Sequence, residues 1–517
     1  MTKRIKLVVL FIVICMTTFA QKGFKNPAAA YCETLGYKHS IQTDKLGNEV
    51  GMCTLPSGQT VNAWDFYKGK VAQEYSYAAK KGYKIETVTE KINGFVNEYA
   101  VCTREVKGVK ERMSLQDLME KNGDKMQLET RGPGKDVYEI AKDNPSFVAS
   151  KVNPTSFDWR SYNGHSYIGA VRNQGGCGSC YAFGASACAE GTYNFATGLY
   201  DSNTSDFAES YIVWCLGTMS AYSSHFGGCG GADYTYSELQ ALTDIGTIAE
   251  SYFPYTETDP QTCPSAATNA PKTKFNAWYR VPCSDIEAIK TAIMTYGVVD
   301  VAVYVTTAWQ NYSGGIYTDA STSCPGSPCD YTTTNHAVAL VGWGHDATAG
   351  DYWILRNSWG PTWGESGYMR TAVSAARVAC SVCYLVYQNT PPAAPTATTV
   401  AASGVTNNVA TLNATVNANN ATTTVTFEYG LTTSYGSTIN GTPNSLTGAS
   451  ATSVTASLTG LAASTTYNYR VKAVNSYGTV YGSNMTFTTT ANPVSLTLPV
   501  TENFVASTLP SQWTTQN

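Results

Sequence analysis

The chain has 517 residues, enough for about three folding units at the usual domain size. Apolar residues make up 43 % and charged residues only 14 %, against a usual ~25 %. A formal net charge of −4 excludes a basic nucleic-acid binder and an acidic solvating tail as descriptions of the whole chain. The 15 cysteines argue against an ordinary cytosolic protein. Residues 21–150 carry 19 Lys/Arg and 17 Asp/Glu, residues 151–388 carry 10 and 19, and residues 389–517 carry 2 and 2. These regimes mark at least three segments.

Lys3, Arg4 and Lys6 precede an apolar run from Leu7 to Met16, and Thr18-Phe19-Ala20 follows with small residues around a cut after Ala20. Residues 1–20 therefore read as a cleaved secretory signal. The apolar run falls short of the ~20 residues that span a bilayer. No later run is long enough either, so the chain is expected outside the cell, with a cell surface as a further option and no transmembrane segment. Export permits disulfides.

Residues 21–100 contain Asn26-Pro27-Ala28, Cys32, a turn-like stretch at 44–48, Gly51-Met52-Cys53 and Trp64-Asp65-Phe66-Tyr67. Two short β-type runs around a turn, with a cysteine in each, predict a hairpin stapled by Cys32–Cys53. A unit of ~50 residues gains from a staple, because burial alone stabilises it poorly. This stretch resembles a small haemolysin-type bacterial domain of unknown function, and no haemolysis is inferred from it. Residues 101–155 are charge-rich, with helical stretches such as 112–120 and a break at Gly132-Pro133-Gly134, and read as a linker.

The informative segment is Asn173-Gln174-Gly175-Gly176-Cys177-Gly178-Ser179-Cys180-Tyr181-Ala182-Phe183. A glycine-rich loop runs into Cys180, and a helical pattern from Tyr181 to Phe195 ends at Gly198. A cysteine at a helix N-terminus feels the positive end of the macrodipole, which favours the nucleophilic thiolate. His336 opens an apolar strand, Asn335-His336-Ala337-Val338-Ala339-Leu340-Val341, and Tyr352-Trp353-Ile354-Leu355-Arg356-Asn357-Ser358-Trp359-Gly360 follows. A thiol, an imidazole that carries its proton and an amide that fixes the ring are the parts of an activated nucleophile. Pro391-Pro392-Ala393-Ala394-Pro395 makes 389–395 a stiff linker. Short alternating runs at 409–416, 425–429 and 467–473 then predict an antiparallel β-sandwich over 396–490.

Taken together, the cysteine, histidine and asparagine segments resemble the papain-like cysteine peptidases over 156–388. The resemblance implies an α+β fold of two lobes, one helical and one β-rich, with Cys180 as nucleophile, His336 as acid/base and Asn357 as the orienting residue. It further implies Gln174 as oxyanion donor, Trp359 as the shield of the His–Asn bond, and Gly230 and Gly231 along the cleft. Disulfides Cys177–Cys229 and Cys215–Cys263 follow from the same analogy, as does a third joining Cys324 or Cys329 to Cys380 or Cys383. Phe157-Asp158-Trp159-Arg160 resembles the family's mature N-terminus, which makes 21–155 a pro-region. That pro-region does not resemble the usual helical propeptide. The spacings of 156 residues from Cys180 to His336 and 177 to Asn357 exceed the ~130–150 of the family and place an insertion around 319–334. The 458–478 stretch resembles a fibronectin type III module. Residues 491–517 resemble the start of a jelly-roll adhesion domain, with the chain ending before it could close.

The expected function is a secreted endopeptidase working through a thioester acyl-enzyme on protein or peptide substrates. It uses no cofactor or metal and no nucleic acid, and its β-domains tether it to a glycan or cell-surface ligand. Two alternatives compete with it: an adhesin with a non-catalytic peptidase-like core, and a thiol amidase acting on cell-wall peptides. Cys177-x-x-Cys180 and Cys380-x-x-Cys383 raise zinc, but the pairs lie 200 residues apart without matching histidines. Cys188, eight residues into the nucleophile's helix, reads as a buried inert thiol.

Overall fold

A computed structural model describes residues 23–130, 147, 149, 152–232, 236–319, 321, 323–324, 334–388, 392–446 and 451–493. The signal, the Gly132-Pro133-Gly134 break, most of the 319–334 insertion and the jelly-roll-like end lie outside the described residues. The chain forms two compact units, 1–388 and 389–517.

In the first unit, Asn26 caps the helix Pro27–Thr34 by accepting the Ala28 N–H, and Pro27 fits the first turn because it has no N–H to lose. Strands Lys38–Thr43, Glu49–Thr54 and Thr60–Asn62 follow as a small antiparallel sheet. The Cys32–Cys53 bridge forms, but between this helix and the middle strand. The expected cysteine-bearing strand at Cys32 is a helix, because the cap and the Ala28-Ala29-Ala30 run favour helix there.

Residues 101–155 are not a linker throughout. Strands Lys84–Ile92, Phe95–Val106 and Val109–Ser114 form a meander. Its two-residue turns, Asn93-Gly94 and Lys107-Gly108, take the positive φ that tight hairpins need. The helix expected over 112–120 starts only at Leu115, where Ser114 caps it. The boundary expected at residue 100 therefore falls inside a strand.

This meander also continues the sheet of the following domain. Phe95–Val106 pairs antiparallel with Tyr312–Tyr317, and the sheet runs on through Tyr368–Ala372, Gly350–Arg356, His336–Asp346, Val299–Val303, Val382–Val386 and Ala277–Arg280. One apolar core, including Trp64, Phe95, Trp309, Trp359 and Trp363, spans residues from both stretches. A second core, with Tyr181, Ile212, Leu239 and Leu385, belongs to the helical lobe built on the helix Cys180–Thr197. The architecture is α+β: a helical lobe and a β-rich lobe, with a small N-terminal domain joined to the latter.

Among its described residues the second unit is all β, from Thr396–Ser403 to Met485–Thr488, with its own core of Leu412, Val416, Val425, Phe427, Val454, Tyr469 and Val471. Strand Val409–Asn417 alternates half-buried and buried residues, as a strand with one face on a core must. Among the described residues no helix is long and apolar enough to cross a membrane.

Candidate active site

The helix Cys180–Thr197 begins at Cys180 itself and closes on Gly198 in the left-handed conformation. Ser179 precedes it without capping it; its hydroxyl pairs with the Tyr255 hydroxyl at 2.8 Å. Ser179 instead takes the Ala182 N–H on its carbonyl at 2.9 Å, and the Tyr181 N–H is directed at the Cys180 sulfur. The preceding loop is tied down by the Cys177–Cys229 bridge and by the Gly178 N–H donating to Cys229 O at 3.1 Å. Gly230 and Gly231 follow Cys229 directly, so they sit beside this loop.

On the β lobe, His336 opens the strand His336–Asp346, which pairs with Gly350–Arg356. That pairing delivers Asn357 to the ring: His336 Nε2 meets Asn357 Oδ1 at 2.8 Å, with both residues buried. The same oxygen accepts the Ser358 N–H at 2.8 Å, which fixes the amide's orientation. Trp359 lies over the ring at 5.1 Å, and Trp309 closes a second side at 5.7 Å. Gln174 joins the cluster because its N–H donates to Ser358 O, while Ser358 Oγ donates to Gln174 Oε1 at 2.8 Å. The Ala337 N–H, next to His336, is directed at the Cys180 sulfur and links the two lobes.

A short stretch of the N-terminal domain covers the cluster. Gln174 Nε2 donates to the Phe24 carbonyl at 2.8 Å, as well as to Cys177 O at 2.8 Å. The Phe24 N–H is directed at the Cys180 sulfur, and the Phe24 ring packs 6.1 Å from His336 and 5.9 Å from Trp359. Cys180 is only 1 % exposed and His336 fully buried. Burial has a direct electrostatic result. It pushes the Cys180 thiol up to about 11, against the pull of the Phe24, Ala337 and Tyr181 amides. It also holds His336 down to about 4, with the Asn357 bond opposing the shift. In this covered state both groups are neutral at pH 7, so the thiolate that the helix end favours is overridden by desolvation. Beyond Phe24 the groove continues as a cavity of about 770 Å³ lined by Met126, Leu128, Glu129, Val305 and Gln310.

Cys215–Cys263 and Cys324–Cys380 are also bridged, and Cys283 is disulfide-bonded. Cys177 and Cys380 are therefore occupied by separate bridges, and the two Cys-x-x-Cys pairs do not come together. Cys188 is a free buried thiol bonded to Val298 O at 3.1 Å, and Cys102 and Cys383 are free and buried as well. Several residues of the site carried no local signal in the sequence. They include Phe24, Trp309 and Trp64, whose Nε1 donates to Trp359 O at 3.0 Å, and Glu49, whose carboxylate accepts the Asn173 N–H at 2.8 Å. Asn335 is another, with its amide donating to Glu129 Oε1 at 3.1 Å. Phe24, Trp64 and Glu49 lie more than 100 residues from these partners, and Trp309 reaches the His336 ring from a separate element.

A cysteine at a helix start, a histidine held by an amide on the facing lobe and an amide donor beside them define a thiol-hydrolase type of site. The family model "Papain family cysteine protease" matches residues 153–389, and "Domain of unknown function (DUF333)" matches residues 23–70. Residues 153–389 are a papain-family cysteine protease domain, preceded by a DUF333 domain. Among the relatives, a cathepsin L-like peptidase of Aedes aegypti is 34 % identical over 224 residues, 42 % of this chain and 59 % of the relative. Cysteine proteinase 2 of Entamoeba histolytica is 34 % identical over 221 residues, 43 % of this chain and 64 % of the relative. The chain thus spans less than two thirds of the length of these relatives. Among solved structures, digestive procathepsin L 3 from the larval midgut of Tenebrio molitor is similar at 30 % identity. The match covers 48 % of this chain and 74 % of that one, with a TM-score of 0.40.

Proposed function

We propose that the protein is a secreted cysteine endopeptidase, held here in a latent form. Once the cleft is open, Cys180 gives its proton to His336 and attacks a peptide carbonyl. The carbonyl oxygen becomes an oxyanion held by the Gln174 amide and the Cys180 N–H. His336 passes the proton to the leaving amine, leaving a thioester on Cys180 that water then hydrolyses. Asn357 keeps the ring turned through these steps, and Trp359 shields their hydrogen bond from water.

The observation that carries this reading is the bond from Gln174 Nε2 to the Phe24 carbonyl at 2.8 Å, beside the His336–Asn357 pair. A backbone carbonyl already accepts from one of the two donors proposed here for the oxyanion. Bridges such as Cys177–Cys229 and Cys215–Cys263 fit an oxidising compartment outside the cell. The β unit 396–490, fibronectin-like in sequence pattern, would tether the enzyme to a glycan or cell-surface ligand. The test is casein hydrolysis by the full chain after brief treatment with a serine protease that is then quenched. Activity that thiol alkylation blocks and that Cys180→Ala lacks is expected. Near wild-type hydrolysis by Cys180→Ala, or release of peptidoglycan peptides but none from casein, would defeat the reading.

A further inference from the structure

We propose that the lock on the site is the short strap Gly23–Lys25 alone, and that residues 26–130 are a permanent wall of the active enzyme. The inference rests on the peptidase reading above but concerns what opens the site.

The strap is light. Gly23 is required because a Cβ there would collide with the carbonyl oxygen of Gly178. Its backbone bonds run from Thr130 N–H to Gly23 O at 2.8 Å, from Gln174 to Phe24 O, and from Lys25 N–H to Leu128 O at 2.9 Å. The single buried apolar side chain it contributes is Phe24. Asn26 marks its end: its side chain caps the helix Pro27–Thr34 and donates to Asn173 Oδ1 at 3.0 Å.

The remainder of the domain is heavily invested in the catalytic cluster. Strand Phe95–Val106 extends the sheet that carries His336. Trp64 satisfies Trp359 O, and its ring lies 6.0 Å from the Trp359 ring. Glu49 binds the Asn173 N–H and lies 3.5 Å from Arg172, and Asn48 Oδ1 accepts the Val171 N–H at 2.9 Å. Gln116 donates to Gln310 Oε1 at 3.1 Å. Removing residues 26–130 would strip one core of a large share of its side chains and take away the buried bonds of Trp359 O and the Asn173 N–H to Trp64 and Glu49. Removing the strap takes one side chain, Phe24, from that core and frees the Thr130 N–H, the Gln174 amide and Leu128 O. A trypsin-type cut after Lys25 suffices: one water adds across the Lys25–Asn26 amide, the strap leaves with a new carboxylate, and Asn26 keeps the new amine.

The test compares the full exported chain with two variants: one whose signal is fused directly to Asn26, and Gly23→Val, which forces the strap off Gly178 without shortening the chain. Iodoacetamide labelling of Cys180 and casein hydrolysis are both followed, with native mass spectrometry reporting whether 26–130 stays attached. Both changes are expected to speed labelling by about a hundredfold, as for a site previously open in ~1 % of molecules, and to switch on hydrolysis at full mass. In the Asn26-starting chain, Trp64→Phe should then lower kcat with KM unchanged, because it removes the Nε1–H bond to Trp359 O and part of the ring packing behind Trp359. Labelling no faster than in the parent, or hydrolysis only in material that has lost 26–130, overturns the proposal. Fast labelling without hydrolysis upholds the strap and defeats the peptidase reading instead.

Discussion

Acidification should loosen the cover over the site, by an amount that follows from His336. Covered, the ring is held at about 4 against an ordinary 6.5, and desolvation is the leading cause. Between those values a ring that meets water takes up a proton that the covered ring refuses. The covered form has the depressed value, so its advantage is complete above 6.5 and is lost as pH falls through 4. At about 1.4 kcal/mol per unit, the full span is worth about 3 kcal/mol, or roughly two orders of magnitude in the open population. Trp309 and Trp359 stay over the ring when Phe24 leaves, so the strap's share is smaller, about tenfold. Cys180 acts at the other end: its thiol is raised to about 11 from 9, so alkali above 9 also favours opening. Closure is therefore tightest between about 6.5 and 9. Hydrogen exchange of the Lys25 amide, corrected for the intrinsic rate, reads the opening directly, because that N–H is bonded to Leu128 O. Protection should fall about tenfold from pH 7 to pH 4.5, and His336→Gln should flatten the profile. Protection that is constant or rises over that range would refute the reasoning.

Other outcomes follow from the same contacts. Asn357→Ala removes the 2.8 Å partner of His336 and should lower kcat of the opened enzyme by roughly 10–100-fold with little change in KM, measured on a peptide ester and on casein. Glu190 and Arg356 form a buried pair behind the site, at 2 % and 4 % side-chain exposure, so Glu190→Ala should destabilise the fold by about 3–5 kcal/mol in urea titration. Cys53→Ser opens the 21-residue loop to Cys32 and should cost about 3 kcal/mol, seen as a lower Tm under non-reducing conditions.

The elements legible in the sequence were those with local chemistry. The helix at Cys180 followed from its glycine-rich approach and Gly198 stop, and the strand at His336 followed from its unbroken apolar run. What escaped was set by contacts between distant segments. Cys32 shares no periodicity with Cys53, and its helix is decided by a cap and three alanines. The 95–114 hairpin was hidden by its charged outer face, although Lys107-Gly108 is a turn signal. The Phe24 N–H meets the Cys180 sulfur from 156 residues earlier, and no pattern around either residue announces that meeting. The insertion of the N-terminal strands into the peptidase sheet escaped for the same reason, since an edge strand's partner leaves no mark on its own alternation.

The central chemical claim, that a sulfur forms the acyl intermediate, is tested most directly by trapping it. The Asn26-starting chain is mixed with an activated peptide ester, quenched in acid within one turnover and mapped by mass spectrometry. Acyl mass on the peptide that carries Cys180, absent in Cys180→Ala and accumulating in His336→Ala no faster than in buffer, is the predicted result. Acylation of any other residue, or turnover without an adduct in an enzyme that keeps its rate as Cys180→Ala, would contradict the account.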